Sequence, residues 1–185
     1  MRVQLRRHKL SDLERLCEIF IDDSVIENLA VPIEAKDISK DDERDWIKNK
    51  IKSYKEKNPR EYCLAIIADG EYVGSIGTHH VDYKKKEAEI GYWIGKNYWG
   101  RGITAQAIKK FVMHIKKKFG FRKITAVPFA YNKASQRVLE KAGFEFKREK
   151  KKSFKKHGKY FDEKLYVREL KWKSKHLNII NYTLV

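Results

Sequence analysis

The chain has 185 residues, a length that favours one domain with its own hydrophobic core. Its composition, 42% hydrophobic and 12% aromatic, excludes an intrinsically disordered polymer, and no apolar run approaches the length of a membrane-spanning helix. The formal net charge of +17 predicts attraction to polyanions.

The N-terminal half is predicted to form one strand, then three helices, then three further strands. Asp69-Gly70, between two of these strands, is a hairpin signal. The predicted elements are, in chain order, a strand over residues 3–7, helices over 11–20, 24–29 and 40–57, and strands over 61–68, 71–81 and 87–95. Val31-Pro32 predicts a break between the second and third helices.

The C-terminal half begins with the clearest helical period, over residues 103–119, where one face is apolar and the other is rich in lysine. A strand over 123–127, a helix over 132–142 and a hairpin with strands at 144–151 and 164–170 follow. This order predicts an α/β fold with a mixed strand order in a single domain, residues 1–170. Residues 171–185 are left as a C-terminal extension.

A glycine turn over residues 97–104 separates the fourth predicted strand from the central helix. Gly100 and Gly102 would let main-chain N–H groups at the start of the helix approach a phosphate. The spacing is neither that of a P-loop nor that of a dinucleotide-binding turn, because Ala105 stands at the third glycine and no acidic residue ends a second strand about 20 residues on. Glycines that only cap a turn remain the alternative.

Four segments cover the centre of the chain in a characteristic order: residues 88–94, residues 98–102, Asn132 with Ser135, and residues 137–144. They resemble the GNAT superfamily of acetyl-CoA-dependent N-acyltransferases, and most of all its Rim-type branch, which acetylates ribosomal-protein N-termini and related amines. The resemblance implies a mixed, mostly antiparallel sheet of about seven strands with a splayed parallel pair and flanking helices. It also implies direct transfer of an acetyl group from acetyl-CoA to a primary amine, with a protein N-terminal α-amine as the expected acceptor.

The resemblance further implies that main-chain groups hold acetyl-CoA. The N–H groups expected to meet its pyrophosphate belong to Trp99, Gly100, Arg101, Gly102 and Thr104. The residues expected to pair with its pantetheine arm are Tyr92, Trp93 and Ile94, with an N–H at Trp93 or Ile94 as the donor to the thioester oxygen. Asn132 is expected to bind pantetheine and also suits a helix N-cap. The Arg101 side chain either adds charge or is solvated.

Ser135 is the candidate general acid that protonates the departing thiolate, by resemblance to Rim-type enzymes. Many GNAT enzymes use a tyrosine four residues further on, where this chain has Leu139. Glu89 is the candidate base for the amine, directly or through a water, although it could equally pair with a lysine. His79 and His80 are alternative bases, and regular alternation would put only one of their rings on the site face.

The lysines cluster most densely over residues 147–159. Such a surface is either simply solvated or faces an acidic partner: an acidic protein substrate, a ribosome, or CoA itself. The N-terminus has no apolar stretch of a secretory signal, which favours a cytoplasmic protein, and monomer or homodimer suits the family. No metal is expected, because Cys17 and Cys63 stand in no ligand spacing and indicate small buried side chains.

Two other functions remain open. The first is acetylation of a small amine such as a polyamine, an antibiotic or an amino acid, for which the acidic residues 41–43 could line a pocket, although they also suit the start of a helix. The second is a nucleic-acid or ribosome-binding protein without catalysis, in which the basic segment 147–159 contacts phosphates.

Overall fold

The computed structural model describes residues 1–30 and 39–171. The predicted break at Val31-Pro32 and residues 172–185 of the predicted extension lie outside the described residues. The strands are β1 Val3–Arg6, β2 Tyr62–Ala68, β3 Glu71–Asp82, β4 Glu87–Ile94, β5 Lys123–Ala126, β6 Glu145–Lys156 and β7 Lys159–Glu169. The helices are α1 Leu13–Phe20, α2 Asp23–Glu27, α3 Lys40–Ser53, α4 Ile103–Phe119 and α5 Lys133–Lys141.

The strands form a seven-stranded mixed sheet in the order β1-β2-β3-β4-β5-β7-β6. Only β4 and β5 run parallel, and they pair over three residues, from Glu87 opposite Lys123 to Glu89 opposite Thr125. Beyond that point β4 continues to Ile94 beside β3 alone, so the two parallel strands splay apart. The predicted fold, with its splayed parallel pair, is confirmed.

Helices cover both faces of the sheet, because alternate strand residues point to opposite sides. One core packs α4 and α5 against side chains such as Ile66, Ile90 and Ile124. The other packs α1, α2 and α3 against Ala65 and Ile67. Among the described residues, no helix is both long enough and apolar enough to cross a membrane.

The C-terminal hairpin is longer than the sequence pattern predicts. β6 continues to Lys156 and β7 begins at Lys159, so only His157 and Gly158 turn the chain, both with positive φ. The predicted strands stopped at 151 and resumed at 164 because lysine-rich segments have little strand preference of their own. Pairing between the two strands supplies the order that local preference lacks. The third helix, by contrast, is shorter than the sequence pattern predicts, because α3 ends at Ser53 rather than at residue 57.

Candidate functional site

The glycine turn between β4 and α4 has a backbone conformation that glycine adopts without strain. Gly100 has φ +74°, and Gly102, the N-cap of α4, has φ +72°. A Cβ added to either would meet no atom within 4 Å, so open space lies over the turn. Within the described part of the chain, nothing accepts a hydrogen bond from the N–H of Gly100, Arg101, Gly102 or Thr104. These unpaired donors at the positive end of the α4 dipole fit a phosphate ligand.

Trp99 differs from the other turn residues expected to bind phosphate. Its N–H donates to Lys96 O at 3.0 Å, and its indole Nε1 donates to Ile94 O at 2.9 Å. In this conformation Trp99 therefore has no N–H left for a phosphate. Its indole instead holds the turn against the end of β4.

The Arg101 side chain lies against an aromatic ring beside the turn. Its guanidinium carbon is 5.8 Å from the centroid of Tyr98, and the guanidinium carbon of Arg15 is 5.9 Å from the same ring. Arg15 also donates to Tyr98 Oη at 2.9 Å. Arg15 is paired with Glu18 as well, at 2.6 Å, so Arg101 is the turn's own cation that adds attraction for an anion.

Along the last residues of β4, main-chain groups point alternately toward β3 and toward the gap where β4 and β5 splay apart. The Trp93 carbonyl points toward β3, because a Cβ added to Gly74 would collide with it. In a trans peptide the N–H of the next residue, Ile94, points the opposite way, toward the splay. Of the two expected donors to the thioester oxygen, the geometry therefore favours Ile94. The Trp93 side chain packs on Phe20, with ring centroids 4.6 Å apart.

The start of α5 brings the candidate acid to β4. Asn132 caps the helix, with its Oδ1 accepting from the Ser135 N–H at 2.9 Å. The Ser135 hydroxyl lies 2.8 Å from Tyr92 Oη, and burial raises the pKa of that phenol above its ordinary range. Tyr92 therefore remains protonated at neutral pH and can donate to the serine. The sequence pattern predicted only a main-chain role for Tyr92.

Glu89 lies on the opposite face of β4 and pairs with histidines rather than with a lysine. His79 Nε2 donates to Glu89 Oε1 at 3.0 Å, and His80 Nδ1 lies 3.6 Å from Glu89 Oε2. Burial alone would raise the pKa of Glu89, but the His79 hydrogen bond and the two nearby imidazoles lower it below its ordinary value overall. The carboxylate is therefore ionised. The carboxylate that pairs with a lysine is instead Glu87, two residues earlier on β4, which accepts a hydrogen bond from Lys123 Nζ at 2.9 Å.

The prediction that only one histidine ring would face the site is wrong. The β3–β4 register shifts between His79 and Asp82, and His80 has φ +46°. This bulge interrupts the alternation of side chains, so both rings lie beside Glu89, with centroids 5.1 Å apart. A bulge of this kind leaves no residue pattern that sequence inspection would have found.

The candidate acid and base thus lie on opposite faces of β4. Tyr92 packs with the α4 core, whereas Glu89 shares its face with Gly91 and Trp93. Three residues of strand separate them, a distance of about 10 Å. A thioester held at the splay would have a proton donor on one side and a proton acceptor on the other.

A model of the acetyltransferase (GNAT) domain matches residues 2–145 of the chain. The chain belongs to this family. The uncharacterized N-acetyltransferase YoaA of Bacillus subtilis is 36% identical over 92 residues, 50% of this chain and 52% of the relative. The ribosomal-protein-serine acetyltransferase of Escherichia coli is 29% identical over 79 residues, 43% of this chain and 44% of the relative. The chain thus spans about half the length of these curated GNAT relatives.

Solved GNAT structures share the whole fold. The microcin C7 self-immunity acetyltransferase MccE, in complex with acetyl-CoA and AMP, superposes with a TM-score of 0.80 at 22% identity, over 91% of this chain and 92% of that one. RimL, a ribosomal L7/L12 α-N-protein acetyltransferase in complex with coenzyme A, has a TM-score of 0.81 at 20% identity, over 91% and 94%. The predicted superfamily is confirmed, and Rim-type enzymes are among the relatives of this chain.

Proposed function

We propose that this GNAT domain transfers the acetyl group of acetyl-CoA to the α-amine of a protein N-terminus. The observation that carries the proposal is the open glycine turn, whose free N–H groups lie at the start of α4 beside the splay of β4 and β5. Acetyl-CoA supplies an activated thioester. The chain's own residues bind it, orient it and move the protons.

The N–H groups of Gly100, Arg101, Gly102 and Thr104 would bind the pyrophosphate. The main chain of Tyr92 and Ile94, with the Asn132 amide, would bind the pantetheine arm. The carboxamide of Asn132 uses its oxygen for the α5 cap and leaves its Nδ2 for a ligand. The Ile94 N–H would stabilise charge on the thioester oxygen as the amine attacks.

Two proton transfers balance the reaction. The amine nitrogen forms a bond to the acetyl carbon, the carbon–sulfur bond breaks, and the amine loses a proton to Glu89, directly or through a water. Ser135 gives its hydroxyl proton to the departing thiolate, and the Tyr92 hydroxyl can return a proton to the serine. His79 holds the Glu89 carboxylate in place through its 3.0 Å hydrogen bond.

An α-amine suits this site better than a lysine amine. Its pKa of about 8 leaves roughly a fifth of it neutral at physiological pH, whereas a lysine amine near 10.4 is almost entirely protonated and needs a stronger base. Glu89, whose pKa is lowered, is a weak base. Relatives of the chain named as ribosomal-protein acetyltransferases support the same acceptor class.

A polyamine pocket at residues 41–43 has little support. These residues occupy the first turn of α3, where Asp41 pairs with Arg44 and Ser39 Oγ donates to Asp42 Oδ2 at 2.5 Å. Glu43 is buried. The carboxylates therefore serve the helix start rather than an open cavity.

Mass spectrometry of peptide products tests the proposal. A peptide with a free N-terminus and an internal lysine is compared with the same peptide blocked at its N-terminus. We expect one acetyl group on the free peptide, located on its α-amine, and none on the blocked peptide. Acetylation of the lysine alone, or of polyamines in preference to both peptides, would contradict the proposed acceptor.

A further inference from the structure

The bulge in β3 builds a cluster of three metal-binding side chains. Ligand atoms of His79, His80 and Glu89 all lie within 4.8 Å of one another. A regular strand would send the two imidazoles to opposite faces, so the shared face depends on the φ of +46° at His80. This conformation is uncommon for a residue with a side chain, and such outliers concentrate at functional sites.

Gly91 makes room for the cluster. A Cβ at this position of β4 would lie 2.9 Å from His79 Cε1, so any larger residue would push the imidazole away. The Glu89 carboxylate has one oxygen toward each ring, at 3.0 Å and 3.6 Å. The His80 side chain is 79% exposed and can turn toward an ion without disturbing packed neighbours.

We propose that His79, His80 and Glu89 form a binding site for a first-row divalent metal ion, with Zn²⁺ as the preferred ion. Two neutral imidazoles and one carboxylate are the ligands of open zinc sites, in which a water takes the fourth position. Mg²⁺ and Ca²⁺ prefer sets made of oxygen ligands, which this cluster does not supply. Closing the three groups onto an ion requires shifts of about 1 Å, because Zn–N and Zn–O bonds are about 2 Å long.

The site has a consequence for acetyl transfer that rests on the proposed function. A bound ion takes the Glu89 oxygen that would otherwise accept the amine proton, and the His79 Nε2 that otherwise holds that carboxylate in place. Metal occupancy and proton acceptance by Glu89 therefore exclude each other, and Zn²⁺ acts as a reversible inhibitor.

The test measures metal binding directly, on the full chain without an affinity tag. Zn²⁺ is titrated by calorimetry, and Co²⁺ is titrated by its visible absorption, which reports nitrogen and oxygen ligands in a site of low coordination number. CoA is left out because its thiol binds Zn²⁺. Wild-type protein should bind one equivalent of either ion.

Two variants remove proposed ligands, and a third is the matched control. His80→Gly suits the positive φ and removes one imidazole, and Glu89→Gln removes the carboxylate; each should weaken binding by at least about tenfold, the loss seen for even an outer-shell partner. Glu87→Gln removes a carboxylate two residues away on the same face and should bind as wild type does. Circular dichroism verifies that all three fold.

Three outcomes would overturn the metal site. The first is no binding by wild-type protein at millimolar ion. The second is binding that persists in both His80→Gly and Glu89→Gln, and the third is binding that disappears only when Cys17 and Cys63 are blocked. A thermal shift with acetyl-CoA, measured on the same preparations, distinguishes failure of this site from failure of the proposed transferase function.

Discussion

Ser135 illustrates how much a single hydroxyl depends on its neighbour. Its N–H completes the α5 cap, and its Oγ lies 2.8 Å from the Tyr92 hydroxyl. The tyrosine that many GNAT enzymes carry four residues later is Leu139 here, and that leucine is fully buried. The phenol next to the Ser135 hydroxyl therefore comes from Tyr92 on β4 rather than from a tyrosine on α5.

Ser135→Ala should lower kcat by about 100-fold with little change in KM, because general acid catalysis contributes about 10²- to 10⁴-fold. Tyr92→Phe should lower kcat less, since the serine hydroxyl remains. Initial rates of thiol release give both values. Tyr83→Phe is the matched control, because the hydroxyl of Tyr83 bonds Pro59 O at 2.9 Å, away from the turn. Equal rates in Ser135→Ala and wild type would exclude the serine as the acid.

His8 and Glu43 are buried titratable groups whose effects on stability oppose each other. Burial lowers the pKa of His8 from 6.5 to about 4, and burial together with the charge of Asp42 raises that of Glu43 from 4.5 to about 7. The unfolded chain binds the His8 proton more tightly, so the stability that neutral His8 contributes is lost as pH falls from 6.5 to 4. The folded chain binds the Glu43 proton more tightly, so the stability that protonated Glu43 contributes is lost as pH rises from 4.5 to 7.

Glu43→Gln should therefore reveal the His8 effect. Between pH 4 and 6.5 its unfolding free energy should rise by about 2–3 kcal/mol more than that of wild type, at about 1.4 kcal/mol per unit by which burial shifts the pKa of Glu43. Urea unfolding at several pH values gives both curves. Glu18→Gln, which removes an exposed carboxylate, should follow wild type. Parallel curves for Glu43→Gln and wild type would contradict the opposing effects.

At the scale of elements, α4 has a left-handed glycine at each end. Gly102 at its start has φ +72°, and Gly120 at its end has φ +73°. Neither position has an atom within 4 Å of an added Cβ. A residue with a side chain would therefore be strained in the same way at either end, and the two ends differ in what the proposed function places beside them.

Gly102→Ala and Gly120→Ala should each lose about 1–2 kcal/mol of stability, the cost of a left-handed residue with a side chain. Only Gly102→Ala should weaken acetyl-CoA binding, because its methyl group enters the space over the free N–H groups. Thermal shifts with and without acetyl-CoA measure both effects. Equal acetyl-CoA shifts in the two variants would argue against a phosphate at this turn.

Lys156 joins the long hairpin to α2. Its side chain is buried, and its ammonium donates to Ile26 O at 2.8 Å and Leu29 O at 3.0 Å. Ile26 O, near the C-terminus of α2, also accepts from the Leu29 N–H at 3.0 Å, whereas Leu29 lies beyond the end of the helix. Tyr131 adds a hydroxyl bond to Glu27 O at 2.9 Å.

Lys156→Met should cost about 1.5–3 kcal/mol, because the hydrogen bonds from a charged donor to the Ile26 and Leu29 carbonyls are lost. Lys155→Met should change stability by less than about 0.5 kcal/mol, since that ammonium lies over the exposed Tyr160 ring. Urea unfolding measures both. A loss in Lys156→Met no greater than in Lys155→Met would mean that the hairpin needs no such link.

At the scale of the molecule, positive charge is concentrated on the β6–β7 ribbon. Eight of the thirteen residues 147–159 are lysine or arginine and one is acidic. β6 is exposed over almost its whole length, and β7 pairs with β5 only over residues 166–169. The ribbon therefore extends beyond the sheet and offers a basic surface close to the start of α5.

Salt should raise KM for an acidic acceptor peptide and leave kcat unchanged, because exposed charges more than about 8 Å apart are screened at physiological ionic strength. A neutral peptide with the same first residues should show no such change. Steady-state kinetics across a salt series measure both. Equal salt effects on the two peptides, with salt-sensitive RNA binding, would favour nucleic acid as the partner of the ribbon.

Local residue patterns determined the family, the fold and several boundaries of this protein. The α4 bounds, residues 103–119, agree with the prediction because Gly102 precedes the helix, Gly120 follows it and the apolar period is regular. The turn glycines and the Asn132 cap were likewise visible as residue types that suit one backbone conformation. The predicted single domain over residues 1–170 and cytoplasmic location stay predictions.

Contacts between distant segments decided the rest. The bulge at His80, the Tyr92–Ser135 hydrogen bond and the Lys156 link each join residues that lie on different strands or helices. The long ribbon formed where lysine-rich sequence predicts no strand. Local preference carries energies of a few tenths of a kcal/mol per residue, whereas pairing, burial and satisfied hydrogen bonds carry about one or more each. Tertiary structure therefore overrode the local pattern where the two disagreed, and it assembled the candidate site.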